Sequence, residues 1–217
     1  MSNPTNNPAV IYAKSAVSRN PATDELIATY PYQTPDEVEA TLSANAAAFQ
    51  LWRNTPMAER VAAYHRLAAT LRDRSEALAS IITTEMGKTI GAARAEIEKS
   101  AATIEWIAEH GPAILADEPV TIEGDDQVHV SYLPIGTILG VMPWNLPIWQ
   151  VIRASGPIML SGNGFLLKHA PNVMGAAMRS RTSMRPPDSP RACSPTSMPT
   201  TRPSPASSPT RGSLPSP

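Results

Sequence analysis

An α/β fold is predicted for most of this 217-residue chain, and three observations predict it. Residues 133–171 read as one strand–loop–helix–strand unit. Four amphipathic helical periodicities precede that unit and need a layer to pack on. Two further strand pairs, each around a turn-forming cluster, stand before and after those helices. Within the unit, residues 135–142 (IGTILGVM) have the length and apolar content of a parallel strand buried on both faces. Pro143 and Pro147 remove ladder donors, so Pro143-Trp144-Asn145-Leu146-Pro147 is a loop. Residues 148–160 have helix length, with Ile148, Val151, Ile152, Ser155 and Met159 spaced by three and four, and Gly162-Asn163-Gly164 closes the helix. Residues 165–168 form the next strand. A right-handed crossover then places the loop and Lys168 on one carboxyl edge, where open α/β sheets bind ligands.

The elements ahead of this unit follow in order. Residues 10–17 and 25–30 are predicted as strands around Asn20-Pro21-Ala22-Thr23-Asp24. Thr34-Pro35-Asp36-Glu37 starts a helix, with Thr34 as N-cap and Glu37 closing a capping box, and Val38, Leu42, Ala46 and Phe49 mark its apolar face. A second helix starts at Thr55-Pro56 and carries Val61, Tyr64, Leu67, Ala68 and Leu71 in one register. A third holds Leu78, Ile81, Ile82 and Met86 and stops at Gly87, and a fourth over residues 89–110 aligns Ile90, Ile97, Ile104 and Ala108. Residues 120–123 and 127–133 alternate around Gly124-Asp125-Asp126 as a hairpin. Asp125-Asp126 and the pair Glu96/Glu98 read as solvated charges.

The composition divides the chain into 1–178 and 179–217. The first part holds twelve of the eighteen basic and eighteen of the nineteen acidic residues, and all eleven aromatic ones. The second holds six Arg, one Asp, ten Pro and ten Ser, with one Leu and no Ile or Val, so it cannot bury enough apolar surface to offset its chain entropy. It is predicted to be a disordered Arg/Pro/Ser-rich tail. Its composition resembles a GC-rich gene read out of frame; a functional tail is the alternative. The acidic first part and the absence of stacking aromatics in the tail argue against nucleic acid. The uncharged stretch 127–152 is interrupted by three prolines and argues for two soluble elements, not a membrane span. The single cysteine, Cys193, excludes an intrachain disulfide and fits a cytoplasmic setting. His65, His110, His129 and His169 lack metal-ligand spacing, so no metal is expected.

Pro-Trp-Asn-Leu-Pro after an apolar strand, then a helix, then Leu-Leu-Lys-His-Ala-Pro, resembles the NAD(P)-dependent aldehyde dehydrogenase superfamily. The longer run Val-Met-Pro-Trp-Asn-Leu-Pro-Ile-Trp-Gln-Val-Ile-Arg is most similar to its succinate-semialdehyde dehydrogenase members. Glu85-Met86-Gly87-Lys88 also matches, as does the first turn, with Asp24 where the family has glycine. The resemblance runs from about residue 10 to about residue 178. It implies an incomplete Rossmann-like N-terminal domain, a hairpin arm at 119–133 used in homo-oligomer assembly (an ordinary surface hairpin is the alternative), NAD or NADP as cofactor, and a small aldehyde as substrate.

It also implies roles for particular residues. Asn145 matches the oxyanion-hole asparagine; the bland alternative is a turn asparagine serving its own backbone. Met142, Pro143 and Trp144 match the wall of the cofactor cleft. Lys168 matches the lysine on the adenosine ribose, with His169, Ala170 and Pro171 continuing its loop. Arg153, the sole charge between residues 127 and 167, matches the arginine that holds the substrate's distal carboxylate; pairing with a helix-borne Glu is the alternative. The family's catalytic cysteine and carboxylate have no counterpart, since Cys193 lies in Arg-Ala-Cys-Ser-Pro, outside the family's pattern. The chain is therefore expected to be a truncated, inactive dehydrogenase, with a non-catalytic assembly module as the rival reading.

Overall fold

The computed structural model describes residues 15–123, 127–183 and 196–197. Strands β1 (Ser15–Arg19) and β2 (Leu26–Pro31) pair antiparallel. Their turn is held by Asn20, whose Oδ1 accepts from the Ala22 amide at 2.9 Å, and by Asp24 at φ 58°. Aspartate tolerates that left-handed conformation, so the hairpin survives without the glycine.

Helix α1 (Pro35–Trp52) begins with the predicted capping box: the Glu37 amide donates to Thr34 Oγ1 and Glu37 Oε2 accepts from the Thr34 amide at 2.7 Å. Its buried face differs from the predicted one. Leu42 and Ala46 are exposed, and Asn45, Ala48 and Phe49 are buried. A polar contact decides this: Asn45 Nδ2 donates to the Phe165 carbonyl at 3.3 Å and Asn45 Oδ1 accepts from Thr137 Oγ1 at 2.6 Å. The helix turns the face that can bridge two strands toward them.

Helices α2 (Met57–Asp73), α3 (Ser75–Met86) and α4 (Ile90–Ile114) carry the core, in which Leu71, Leu78, Ile82, Ile97 and Ile104 are fully buried. Gly87 ends α3 where the sequence predicts its stop, in a left-handed cap at φ 79°. Helix α4 runs on past His110 to Ile114 with Pro112 in its last turn. Helix α5 (Trp149–Leu160) crosses α4 closely at Gly156, where a Cβ would meet Ile107 Cδ1 at 2.6 Å. Tyr64 donates to the Gly156 carbonyl at 2.6 Å, and burial pushes this hydroxyl's pKa well up. Arg60, also buried, donates to the carbonyls of Leu160 and Arg53, the C-terminal ends of α5 and α1. A cation there complements both helix dipoles.

Strands β5 (Thr137–Val141) and β6 (Gly164–Lys168) pair in parallel on either side of α5, from Thr137↔Gly164 to Val141↔Lys168. The prediction that the first is buried on both faces is corrected: Leu139 is 55% and Val141 62% exposed. Its neighbour is buried, Phe165 at 2%, Leu166 at 3% and Leu167 at 1%. Helices α1 and α5 cover β6 more fully than β5, and among the described residues no strand pairs with the free edge of β5.

The second hairpin also shifts. Strands β3 (Glu118–Val120) and β4 (Val128–Val130) pair with Glu118 opposite Val130, two residues earlier than predicted on the first strand. Two side-chain bonds set that register: Ser131 Oγ to Asp117 Oδ1 and the Tyr132 hydroxyl to Glu118 Oε1, each 2.7 Å. The predicted turn at 124–126 lies outside the described residues.

After β6 a single 3-10 turn, Pro171–Val173, leads into α6 (Met174–Ser183), which passes the predicted end of order at 178. Thr196–Ser197 (β7) pairs in parallel with Leu166 and Leu167. Both segments enter the part predicted as a disordered tail. A free strand edge presents unpaired amides and carbonyls, and even a two-residue segment satisfies some of them. The rest of the tail lies outside the described residues. Among the described residues no helix is long and apolar enough to cross a membrane.

Candidate functional site

The site is the loop between β5 and α5, and three contacts hold its two ends. At its start the ladder continues one step, with the Met142 amide donating to the Lys168 carbonyl at 3.0 Å. At its end the Glu96 carboxylate takes the first amides of α5: Oε1 accepts from Ile148 N at 2.8 Å and Trp149 N at 3.1 Å, while Oε2 ion-pairs with Lys88. An anion at a helix N-terminus satisfies orphan donors and the dipole together. Glu96 is 4% exposed, so its reading as a solvated helix-face charge is corrected.

His169 provides the third contact. Its Nδ1 accepts from the Ala170 amide at 2.8 Å, so the proton sits on Nε2, which donates to the Pro147 carbonyl at 2.8 Å. Burial holds its pKa below the ordinary 6.5, against the smaller pull of that carbonyl. Expected as part of the cofactor loop, His169 is buried, and both its ring nitrogens are spent on backbone, which fixes the loop.

Between these contacts the tip is free. Pro143, Trp144 and Asn145 are exposed, and among the described residues the Asn145 amide has no hydrogen-bond partner. A turn asparagine serving its own backbone would have one. Lys168 is half-buried at the end of β6, opposite Val141 in the ladder, and its ammonium likewise has no ion pair among the described residues. Ala170 is buried, and Pro171 is exposed at the start of the 3-10 turn. Arg153 is exposed on α5 with its guanidinium 5.4 Å from the Trp149 ring centroid and no acidic partner among the described residues.

A second buried glutamate repeats the device under α6. Glu85 accepts from the amides of Gly175 and Ala176 and from Ser18 Oγ, at 2.8–2.9 Å. Neither glutamate was picked out as a structural acid from the sequence. For Glu96 a signal existed: it lies beside Ile97 and four residues before Ser100, inside the stripe Ala93, Ile97, Ala101, Ile104.

A model of the aldehyde dehydrogenase family matches residues 12–185. The chain belongs to the aldehyde dehydrogenase family. Among its relatives, the succinate semialdehyde dehydrogenase [NAD(P)+] Sad of Escherichia coli (strain K12) is 50% identical over 165 residues, 76% of this chain and 36% of the relative. The succinate-semialdehyde dehydrogenase [NADP(+)] 1 of Mycobacterium ulcerans (strain Agy99) is 41% identical over 162 residues, 73% of this chain and 35% of the relative. In structure, the chain is similar to the succinic semialdehyde dehydrogenase of Streptococcus pyogenes solved with NADP+, with TM-score 0.72 and 26% identity over 79% of this chain and 37% of that one. The chain thus spans just over a third of the length of these aldehyde dehydrogenases. The matched region includes the whole loop and both glutamates that hold helix N-termini.

Proposed function

We propose that this chain supplies the loop of an NAD(P)-dependent dehydrogenase that receives succinate semialdehyde. The observation that carries the reading is an exposed, unpartnered Asn145 amide on a loop whose ends are held by Glu96 and His169. Such a donor is placed before the reaction and can stabilise an alkoxide as it develops on the aldehyde carbon. Two helical turns along, Arg153 offers a planar fork with no acid to neutralise it, suited to the far carboxylate of the substrate. The names of the relatives point to the same substrate.

The cofactor-facing residues fit the group the family implies. The exposed Trp144 follows the end of β5 by three residues and Lys168 ends the neighbouring β6, so an apolar surface and a hydrogen-bond donor for sugar hydroxyls both lie at the carboxyl edge. NAD(P)+ supplies the hydride acceptor when bound. Met142 and Pro143 would line the same wall. The 217 residues span just over a third of these relatives' length, and weaker cofactor binding by this stretch alone is expected. The exposed β3–β4 arm, with Val120, Val128, Val130 and Tyr132 in water, suits assembly with further copies. A reducing, cytoplasmic setting fits the reading.

Turnover needs a thiolate on the aldehyde carbon, and the one cysteine of the 217 residues is Cys193. We expect the purified chain to show no reduced-cofactor absorbance with succinate semialdehyde and NAD+ or NADP+. Turnover that Cys193→Ser abolishes would overturn this. Succinate binding that Arg153→Met leaves unchanged would overturn the substrate assignment.

A further inference from the structure

We infer that Lys99 is a second cationic contact for the distal carboxylate of the substrate, acting with Arg153 around the Trp149 ring. The inference rests on the substrate reading above and adds to it a specificity-determining residue on a different helix. Lys99 lies on α4, three residues after Glu96, so a single turn of α4 presents both the carboxylate that fixes the start of α5 and this ammonium. Its Nζ stands 3.9 Å from the centroid of the Trp149 ring, and Arg153, four residues along α5, approaches the same ring. Trp149 itself is only four residues beyond Asn145.

The charges around this ring do not balance. The α4 acids within two turns of Lys99 are committed elsewhere: Glu96 to Lys88, and Glu98 and Glu105 to Arg72. Glu76 of α3 pairs with Arg94. Lys99 and Arg153 have no acidic partner among the described residues, and Trp149 Nε1 is buried with no acceptor. Donors therefore gather around one indole, and apart from the ring itself no acceptor among the described residues meets them. A carboxylate answers that imbalance, because two cations on separate helices can take its two oxygens while the ring packs on the methylenes between it and the carbonyl. An aldehyde without the second charged end would leave both cations unpaired, which makes the pair a discriminator between chemical classes of substrate.

The test is succinate binding to the full 217-residue chain, followed by tryptophan fluorescence and by calorimetry, with butyrate as the single-carboxylate control. Lys99→Met is expected to weaken succinate binding about tenfold and to erase the preference over butyrate, while Lys99→Arg restores most of both. Lys99→Gln serves as a second neutral variant, and urea melts establish that each variant folds. Normal succinate binding by both neutral variants, with binding lost in Arg153→Met, would overturn the role of Lys99 and leave the substrate reading intact. Binding unaffected by Lys99 and Arg153 changes alike, or no preference for succinate in the unaltered chain, would overturn both.

Discussion

The two parallel strands β5 and β6 are alike in sequence and opposite in environment. Ile138, Leu139 and Val141 on the one, and Phe165, Leu166 and Leu167 on the other, are runs that a hydropathy reading treats as equivalent. Yet β6 is buried at Phe165, Leu166 and Leu167 while β5 leaves Leu139 and Val141 in water. The difference lies in the neighbours. Strand β6 has α1 and α5 over it, β5 along one edge and Thr196–Ser197 along the other, whereas β5 has pairing on one edge alone among the described residues. The site loop joins an anchored half to an unanchored one. Its anchors, Glu96 and His169, lie on the α4–β6 side, so Asn145 is positioned from the buried half.

Four measurements would break or sharpen that contrast. The largest effect is expected at Glu96. Glu96→Ala leaves Lys88 uncompensated in a mostly buried place and two α5 amides without an acceptor, and should cost about 3–5 kcal/mol in a urea melt. Glu98→Ala, two residues away on an exposed pair with Arg72, should cost no more than about 1 kcal/mol. Equal effects would mean that Glu96 is no anchor.

Next is the buried strand: Leu167→Ala should cost about 2–5 kcal/mol by removing side-chain atoms from a closed core. A loss near zero would place β6 on the same footing as β5.

Acid should act on the anchored half as well. The folded pKa of His169 is lowered by burial below 6.5, so below that pH the unfolded chain binds the proton more readily than the folded one. Its contribution is present above pH 6.5 and lost as pH falls through the folded pKa. Melts from pH 7.5 to 5 should show stability falling, with a shallower fall in His169→Gln. Parallel curves would remove His169 from the account.

The smallest effect belongs to the exposed strand. Leu139→Thr and Val141→Thr should each change stability by no more than about 0.5 kcal/mol and should raise solubility. A large loss would show that β5 is covered, for instance by a second copy.

The helices, their caps and the order of the unit 133–171 were legible because they rest on local chemistry. The Thr34–Glu37 box, the stop at Gly87, the Asp24 turn and the proline-bounded loop each need only residues a few positions apart. The aldehyde dehydrogenase family was legible for the same reason, since its loop is contiguous in the chain. What sequence could not decide is what each element meets. The true face of α1 depended on Asn45 reaching Phe165 and Thr137, 120 and 92 residues away. The roles of Glu96 and His169 depended on backbone amides and a carbonyl brought close only by the crossover. Lys99 drew no notice because it belongs to an ordinary charged helix face, and Trp149 lies fifty residues on. Periodicity reports which side chains avoid water; the partner that a buried charge or amide finds is fixed by packing between distant segments.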